Sequence, residues 1–400
     1  MRVVYLCRLA AVVIAFSSLP VRAELTVERA QALALDQAPA LARLKSGVAA
    51  ASERVVYEGQ LPDPTLTLGA INVPTDSFSF KEDDMTMVGV GIRQAFPPGD
   101  TLAQRTRRAA AGVEREDARL ELARRKLIRD VRAAWLDVYA AEQTLRLHQA
   151  ALNLARRDIE AAEARYRAAQ ETQRAVLQAR SALARLHERE PMLHAQVKRA
   201  RATLARYIGD AADEPLANAW PMFADANNFD APNHPEWRAA QAEVEAMHAE
   251  LRMANAESKP GYMIDVMYGV RQDRADMITA QVGIDLPLFR AKRQDRRIAE
   301  RQALAQASEL DAEDKRRELV AAYASARAEH AALAERVRIY ENDLIPALQR
   351  EASVTIAGFA RDQSSLREAR LKELDARMEL IALKTELAKS QAALLYLAGE

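Results

Sequence analysis

Four short segments of the chain alternate apolar and polar positions with a period of two. In 262–270, Tyr262, Ile264, Val266, Tyr268 and Val270 alternate with Met263, Asp265, Met267 and Gly269. In 277–286, Ile278, Ala280, Val282, Ile284 and Leu286 alternate with Met277, Thr279, Gln281, Gly283 and Asp285. Residues 85–93 set Thr86, Val88, Val90 and Ile92 on one side, and 65–71 repeats the pattern more weakly. This period predicts strands at about 65–71, 85–96, 262–270 and 277–288, each with one apolar face.

Elsewhere the period is helical. Thr101 to about Tyr166 reads as one helix, with a stripe of Leu127, Val131, Trp135, Val138 and Leu145. At 1.5 Å per residue it would run roughly 100 Å. Propensity alone does not hold so long a helix in water, so tertiary packing has to. The chain turns near 168–172 and a second helix returns to 208. From Arg290 the plan recurs: a helix to about 355, a turn at Ala357-Gly358-Phe359, and a return to 398. Pro191 and Pro346 fall inside these helices and predict kinks or breaks. Shorter helical patterns, 25–57 interrupted at Pro39 and 235–257, precede the two strand pairs.

Strand pair, long helix, tip and return helix, twice over, make a tandem repeat. The first repeat spans 24–209 with its hairpin at 101–208, and the second spans 236–400 with its hairpin at 290–398. A proline- and asparagine-rich linker, 210–235, separates them. The fold class is mainly α with a small β part. Charged residues at 28%, aromatics at 5% and only 13 glycines fit a coiled-coil profile better than a mixed enzyme.

A formal net charge of zero gives no reason to expect a nucleic-acid partner. Residues 1–23 read as a secretory signal peptide: Arg2 and Arg8, an apolar run over 9–16, then Val21-Arg22-Ala23 before a cut at Glu24. Its removal takes three arginines and Cys7, the single cysteine, leaving a slightly acidic chain without thiol chemistry. No later stretch approaches the roughly 18 apolar residues of a spanning helix.

The amphipathic strands have two readings. They could cover a soluble core, or they could face lipid with apolar residues outward and polar residues inward, as in a membrane barrel. The secretory signal favours the barrel. Four strands cannot close one around a lumen, which takes about eight, so several chains have to contribute. Charge-rich helix faces such as 105–108 and 314–317 are most simply solvated surface.

Enzymatic chemistry finds no support. The six histidines include no His-x-x-x-His pair, and neither a phosphate loop nor a nucleophile elbow occurs. No catalytic, cofactor-binding or metal residue is assigned, and no cofactor is expected. Met85 with Met87, or Met263 with Met267, would suit Cu(I), but methionine more often fills space, and an export duct must release its ions.

Taken together, the residues resemble the TolC family of outer-membrane efflux channels over essentially the whole mature chain. Beyond the doubled order of elements, Tyr166, Ala168-Ala169-Gln170, Leu177 and Ala179 resemble the family's tip sequence. Thr355, Ala357-Gly358-Phe359 and Leu366 match it in the second half, and Leu286-Pro287-Leu288-Phe289 resembles the exit from the fourth strand. Segments 61–64, 72–78 and 94–100 look more like the heavy-metal branch, the CusC- and CzcC-like channels.

The resemblance implies a homotrimer in the outer membrane of a Gram-negative bacterium, one third of a 12-stranded barrel per chain, with an α-helical tunnel in the periplasm. It implies a periplasmic adaptor docked at the tips (Ala168, Ala169, Gln170 and Ala357, Gly358, Phe359) and an inner-membrane pump of the resistance–nodulation–division class. The duct itself would be passive and its cargo heavy-metal ions. Ala169 stands where the family prefers glycine. Ser364 and Arg367 stand where some members carry acidic rings, and Arg361 and Asp362 offer a different charged aperture; ordinary surface charge or an intrachain pair is the plainer reading. Asp265, Gln281 and Asp285 would face the barrel lumen. The rival is a soluble periplasmic adaptor or coiled-coil scaffold. An adaptor, however, carries one hairpin between β modules rather than two hairpins that each follow a strand pair.

Overall fold

The computed structural model describes residues 24–224, 229–358 and 363–399. The expected signal peptide therefore lies outside the described residues. Helix α1 (Val27–Gln37) starts where the Thr26 hydroxyl accepts from the Arg29 N–H at 3.2 Å. Proline at the first turn opens α2 (Pro39–Glu58) and later α5 (Pro235–Ala256), where its missing N–H costs no helical bond. The first long hairpin is α3 (Thr101–Arg167, 67 residues) with α4 (Gln173–Ile208). The second is α6 (Gln294–Ile339), continuing into α7 (Ile345–Gly358), with α8 (Gln363–Ala398) returning.

The strands β1 (Thr65–Ile71), β2 (Met87–Phe96), β3 (Tyr262–Val270) and β4 (Met277–Ile284) form one antiparallel sheet in sequence order. Two are shorter than the alternation predicts. Before β2, the Met85 N–H turns to the Asp83 carboxylate (2.7 Å) and the Thr86 hydroxyl to the Asn72 carbonyl (2.7 Å), so a turn replaces the ladder there. Beyond β4, Pro287 has no N–H to offer a partner strand, and the chain leaves the sheet after Ile284. A single 3₁₀ turn, Arg290–Lys292, then delays α6 to Gln294.

Helix α3 is the spine, packing against α2, α4, α5 and α8, while α6 rests on α5 and α8. The main apolar core lies near the middle of α3. Val131, Trp135, Leu136 and Val138 are buried there against Leu25, Leu204, Ile208 and Leu216. Its wall is tied to the N-terminal segment by the Trp135 indole N–H, which donates to the Leu25 carbonyl at 3.0 Å. Of the helical stripe read from the sequence, Val131, Trp135 and Val138 are buried in this core and Leu127 packs against it.

The prolines behave differently from the simple expectation. Helix α4 continues through Pro191, held on both sides of it by buried Leu186 and Leu193. The Leu186 carbonyl also receives a bond from Nε2 of buried His148 at 2.9 Å. At Pro346 a π turn, Tyr340–Leu344, comes immediately before, widening the helix where the proline ring would otherwise meet a carbonyl. Among the described residues, no helix is long and apolar enough to cross a membrane.

Candidate functional site: the sheet faces, the hairpin tips and the aperture

Register fixes which residues share a face of the sheet. Leu66, Leu68 and Ala70 pair with Ile92, Val90 and Val88, which pair in turn with Val266, Tyr268 and Val270. On β4, Ile284, Val282, Ala280 and Ile278 complete the same face opposite Tyr262, Ile264, Val266 and Tyr268. Its large apolar side chains stay exposed: Leu68 at 72%, Ile278 at 73% and Val282 at 67%. At the end nearest the helices, Phe96 and Tyr262 stack with ring centroids 4.8 Å apart. A continuous exposed apolar face of this extent calls for an apolar partner.

The opposite face mixes glycines and methionines with polar residues. Asp265 pairs across the sheet with Arg93 on one side and Gln281 on the other. The Arg93 guanidinium donates to the Asp265 carboxylate at 2.8 Å. Alternation also puts Asp285 on this side, one residue past β4, where its N–H donates to the Gly261 carbonyl at 2.9 Å. Arg93 is the member that sequence reading missed. Its own alternation places it opposite Ile92, but only the register between strands some 170 positions apart in the chain joins it to Asp265.

At the first tip, α3 ends in a Schellman motif. The Gln170 N–H reaches the Arg165 carbonyl at 2.9 Å and the Ala169 N–H reaches Tyr166 at 3.0 Å. The motif requires a left-handed residue, and Ala169 adopts it with φ of 55°. Alanine at this position keeps the left-handed turn and carries the strain of a Cβ there. Helix α4 restarts with the Thr172 hydroxyl capping the Ala175 N–H at 3.3 Å. At the second tip, Ala357 and Gly358 end α7, while Phe359, Arg361 and Asp362 lie outside the described residues. Ser364 falls in the first turn of α8.

Near that tip, Arg367 reaches toward Gln178 of α4 at 3.5 Å. One turn on, Arg370 contacts both oxygens of Asp158 on α3 at 3.0 and 3.3 Å. Arg189 on α4 reaches Asp375 at 3.2 Å. These polar links join α8 to the first hairpin, whereas α4 and α8 barely meet otherwise. Between the helices, Leu147, Leu154, Leu186, Leu371 and Leu374 line an apolar cleft roofed by Arg370 and Arg377. None of these pairings was readable beforehand, because like-looking arginines and acids cover every helix face.

A second polar network closes the base of α5. His234 is fully buried, and its Nδ1 accepts from the Glu236 N–H at 3.2 Å. The Glu236 carboxylate accepts from the Tyr396 hydroxyl at 2.7 Å and pairs with Lys126 at 3.2 Å. Burial pushes the His234 pKa down. Burial alone would raise Glu236, but the Tyr396 hydroxyl and Lys126 outweigh it and hold the carboxyl below its usual range.

Family comparison agrees with this arrangement. The chain matches the outer membrane efflux protein family over residues 31–210 and 231–400, and it belongs to that family. Its fold resembles that of VceC from Vibrio cholerae, with a TM-score of 0.78 and 16% identity over 93% of this chain and 96% of that one. It resembles CusC equally, with a TM-score of 0.78 and 14% identity over 93% and 92%. MtrE of Neisseria gonorrhoeae follows at 0.74 and 16% over 93% and 88%. Equal likeness to VceC and CusC leaves the branch unassigned by fold. No curated protein matches the chain. Family membership makes this a duct component and not an enzyme.

Proposed function

We propose that three copies of this chain form the outer-membrane duct of a tripartite efflux system that exports heavy-metal ions. The carrying observation is the sheet: one face is exposed and apolar, and both edge strands, β1 and β4, pair on one side only. Three such sheets joined edge to edge give 12 strands, enough to enclose a lumen, with the apolar faces in lipid and the Arg93–Asp265–Gln281 row inside. The central strands β2 and β3, at ten and nine residues, match the roughly 9–11 residues of tilted spanning strands, and the edge strands β1 and β4 fall one or two short. Aromatic Phe96 and Tyr262 lie where an interface girdle belongs.

The helical hairpins then extend into the periplasm, and the tips at Ala168-Ala169-Gln170 and Ala357-Gly358-Phe359 receive an adaptor that links the duct to a resistance–nodulation–division pump. Signal cleavage after Ala23 would deliver the chain there. Arg361, Asp362, Ser364 and Arg367 border the aperture, and the Arg370–Asp158 and Arg189–Asp375 links brace its closed form. Support for metal cargo comes from the sequence segments at 61–64, 72–78 and 94–100.

A growth-inhibition panel on a strain lacking the gene tests this reading. Copper, silver, zinc, cobalt and cadmium salts are set against dyes, detergents and antibiotics. Hypersensitivity confined to metals is the expected result. Hypersensitivity to organic compounds alone keeps the duct and overturns the cargo, and wild-type growth throughout overturns the efflux role.

A further inference from the structure

The polar face of the sheet carries more than its ionic row. Gly89 and Gly269 are direct cross-strand partners, and Gly269 pairs on its other side with Met277. With no side chains at the paired glycines, neighbouring methionines lie flat over them. The Met267 sulfur sits 2.7 Å from where a Gly89 Cβ would be, and the Met87 sulfur fills the place of a Gly269 Cβ. Met87 is only 6% exposed. Directly paired residues have Cβ positions about 5 Å apart, so the two thioethers lie over the two members of one glycine pair, and Met277 is the direct strand partner of Gly269.

We infer that Met87, Met267 and Met277 form a thioether site for a soft monovalent cation, Cu(I) or Ag(I), just inside the outer end of the sheet. The position inside the lumen rests on the barrel reading above; the placement of Met87 and Met267 over the glycine pair does not. Neutral, polarisable sulfur suits these ions and not Zn(II) or other harder divalent cations. No group of three histidine, cysteine, aspartate or glutamate side chains occurs among the described residues to offer a harder site. The nearest acid on this face of β3, Asp265, is already paired with Arg93. A neutral cluster brings no charge to hold the ion, which suits an exit path.

Methionine as mere filler is the competing account, and leucine separates the two, because it keeps the volume and removes the sulfur. The assay is competition for Cu(I) between a colorimetric chelator and the detergent-purified full mature chain, under reductant and without oxygen, with Ag(I) and Zn(II) as competitors. The variants are M87L/M267L, M277L and, as a control, M222L, whose side chain is 92% exposed in the linker. Expected is saturable Cu(I) binding displaced by Ag(I) and not by Zn(II). It weakens about tenfold or more in M87L/M267L and M277L and stays unchanged in M222L. Equal binding by wild type and M87L/M267L, or no binding by wild type, overturns the site. Planar-bilayer conductance of the same preparations reads the duct separately, so pores that conduct without binding Cu(I) dismiss the thioether site and leave the channel standing.

Discussion

Ala169 holds a left-handed conformation that an L side chain adopts at a cost of about 1 kcal/mol. Ala169→Gly keeps the Schellman bonds and removes that cost, so thermal melting of the variant should shift upward. A downward shift would mean that the methyl group makes a contact outweighing the strain. His234 gives a pH prediction. Its folded pKa is depressed, so the folded state favours the neutral ring, and stability is full above the unfolded value of about 6.5. Stability then falls as the pH drops below that value, because the unfolded chain takes up a proton that the folded one resists. His234→Asn retains a capping side chain and should flatten the loss below about pH 6.5 in denaturant titrations. An unchanged slope would assign the loss to other groups. The turn at Ala169 was legible only through the family resemblance, and the surroundings of His234 were not legible in sequence. Residue type argues against a positive φ at Ala169, and His234 looks like any histidine before a proline until Tyr396, far along the chain, closes over it.

At the scale of elements, the alternation of the strands and the stripe of α3 were legible because each is a local period set by burial on one side. Pairing was not. The β2–β3 register that joins Arg93 to Asp265, and the packing that sets Arg370 on Asp158, depend on long-range geometry. Of the two interruptions expected at prolines, one occurs, as a π turn ahead of Pro346, while α4 continues through Pro191 as a single helix. The face assignment has a direct test. Val266→Arg, central on the apolar face, should destabilise the membrane-inserted form by about 2–4 kcal/mol, whereas Gln281→Arg on the other face should cost far less. Urea unfolding in lipid vesicles measures both, and equal costs would contradict the assignment. The Arg370–Asp158 link makes a second test. Arg370→Gln and Asp158→Asn should each raise bilayer conductance, and the double variant should add little to either one alone. Additive increases would show that the two side chains act independently.

The whole molecule is unfinished as a single chain. Among the described residues its apolar sheet face has no covering layer, both sheet edges are open, and the long hairpins expose leucines such as Leu310 at 65%. The sequence signalled this incompleteness through strands too few to close a barrel. It could not give the number of copies except through family resemblance. The most direct measurement is the mass of the purified, detergent-solubilised particle by light scattering, corrected for bound detergent. The account predicts three chains per particle and precipitation once detergent is withdrawn. A single chain that stays dissolved without detergent would contradict the shared barrel and return the molecule to a soluble scaffold.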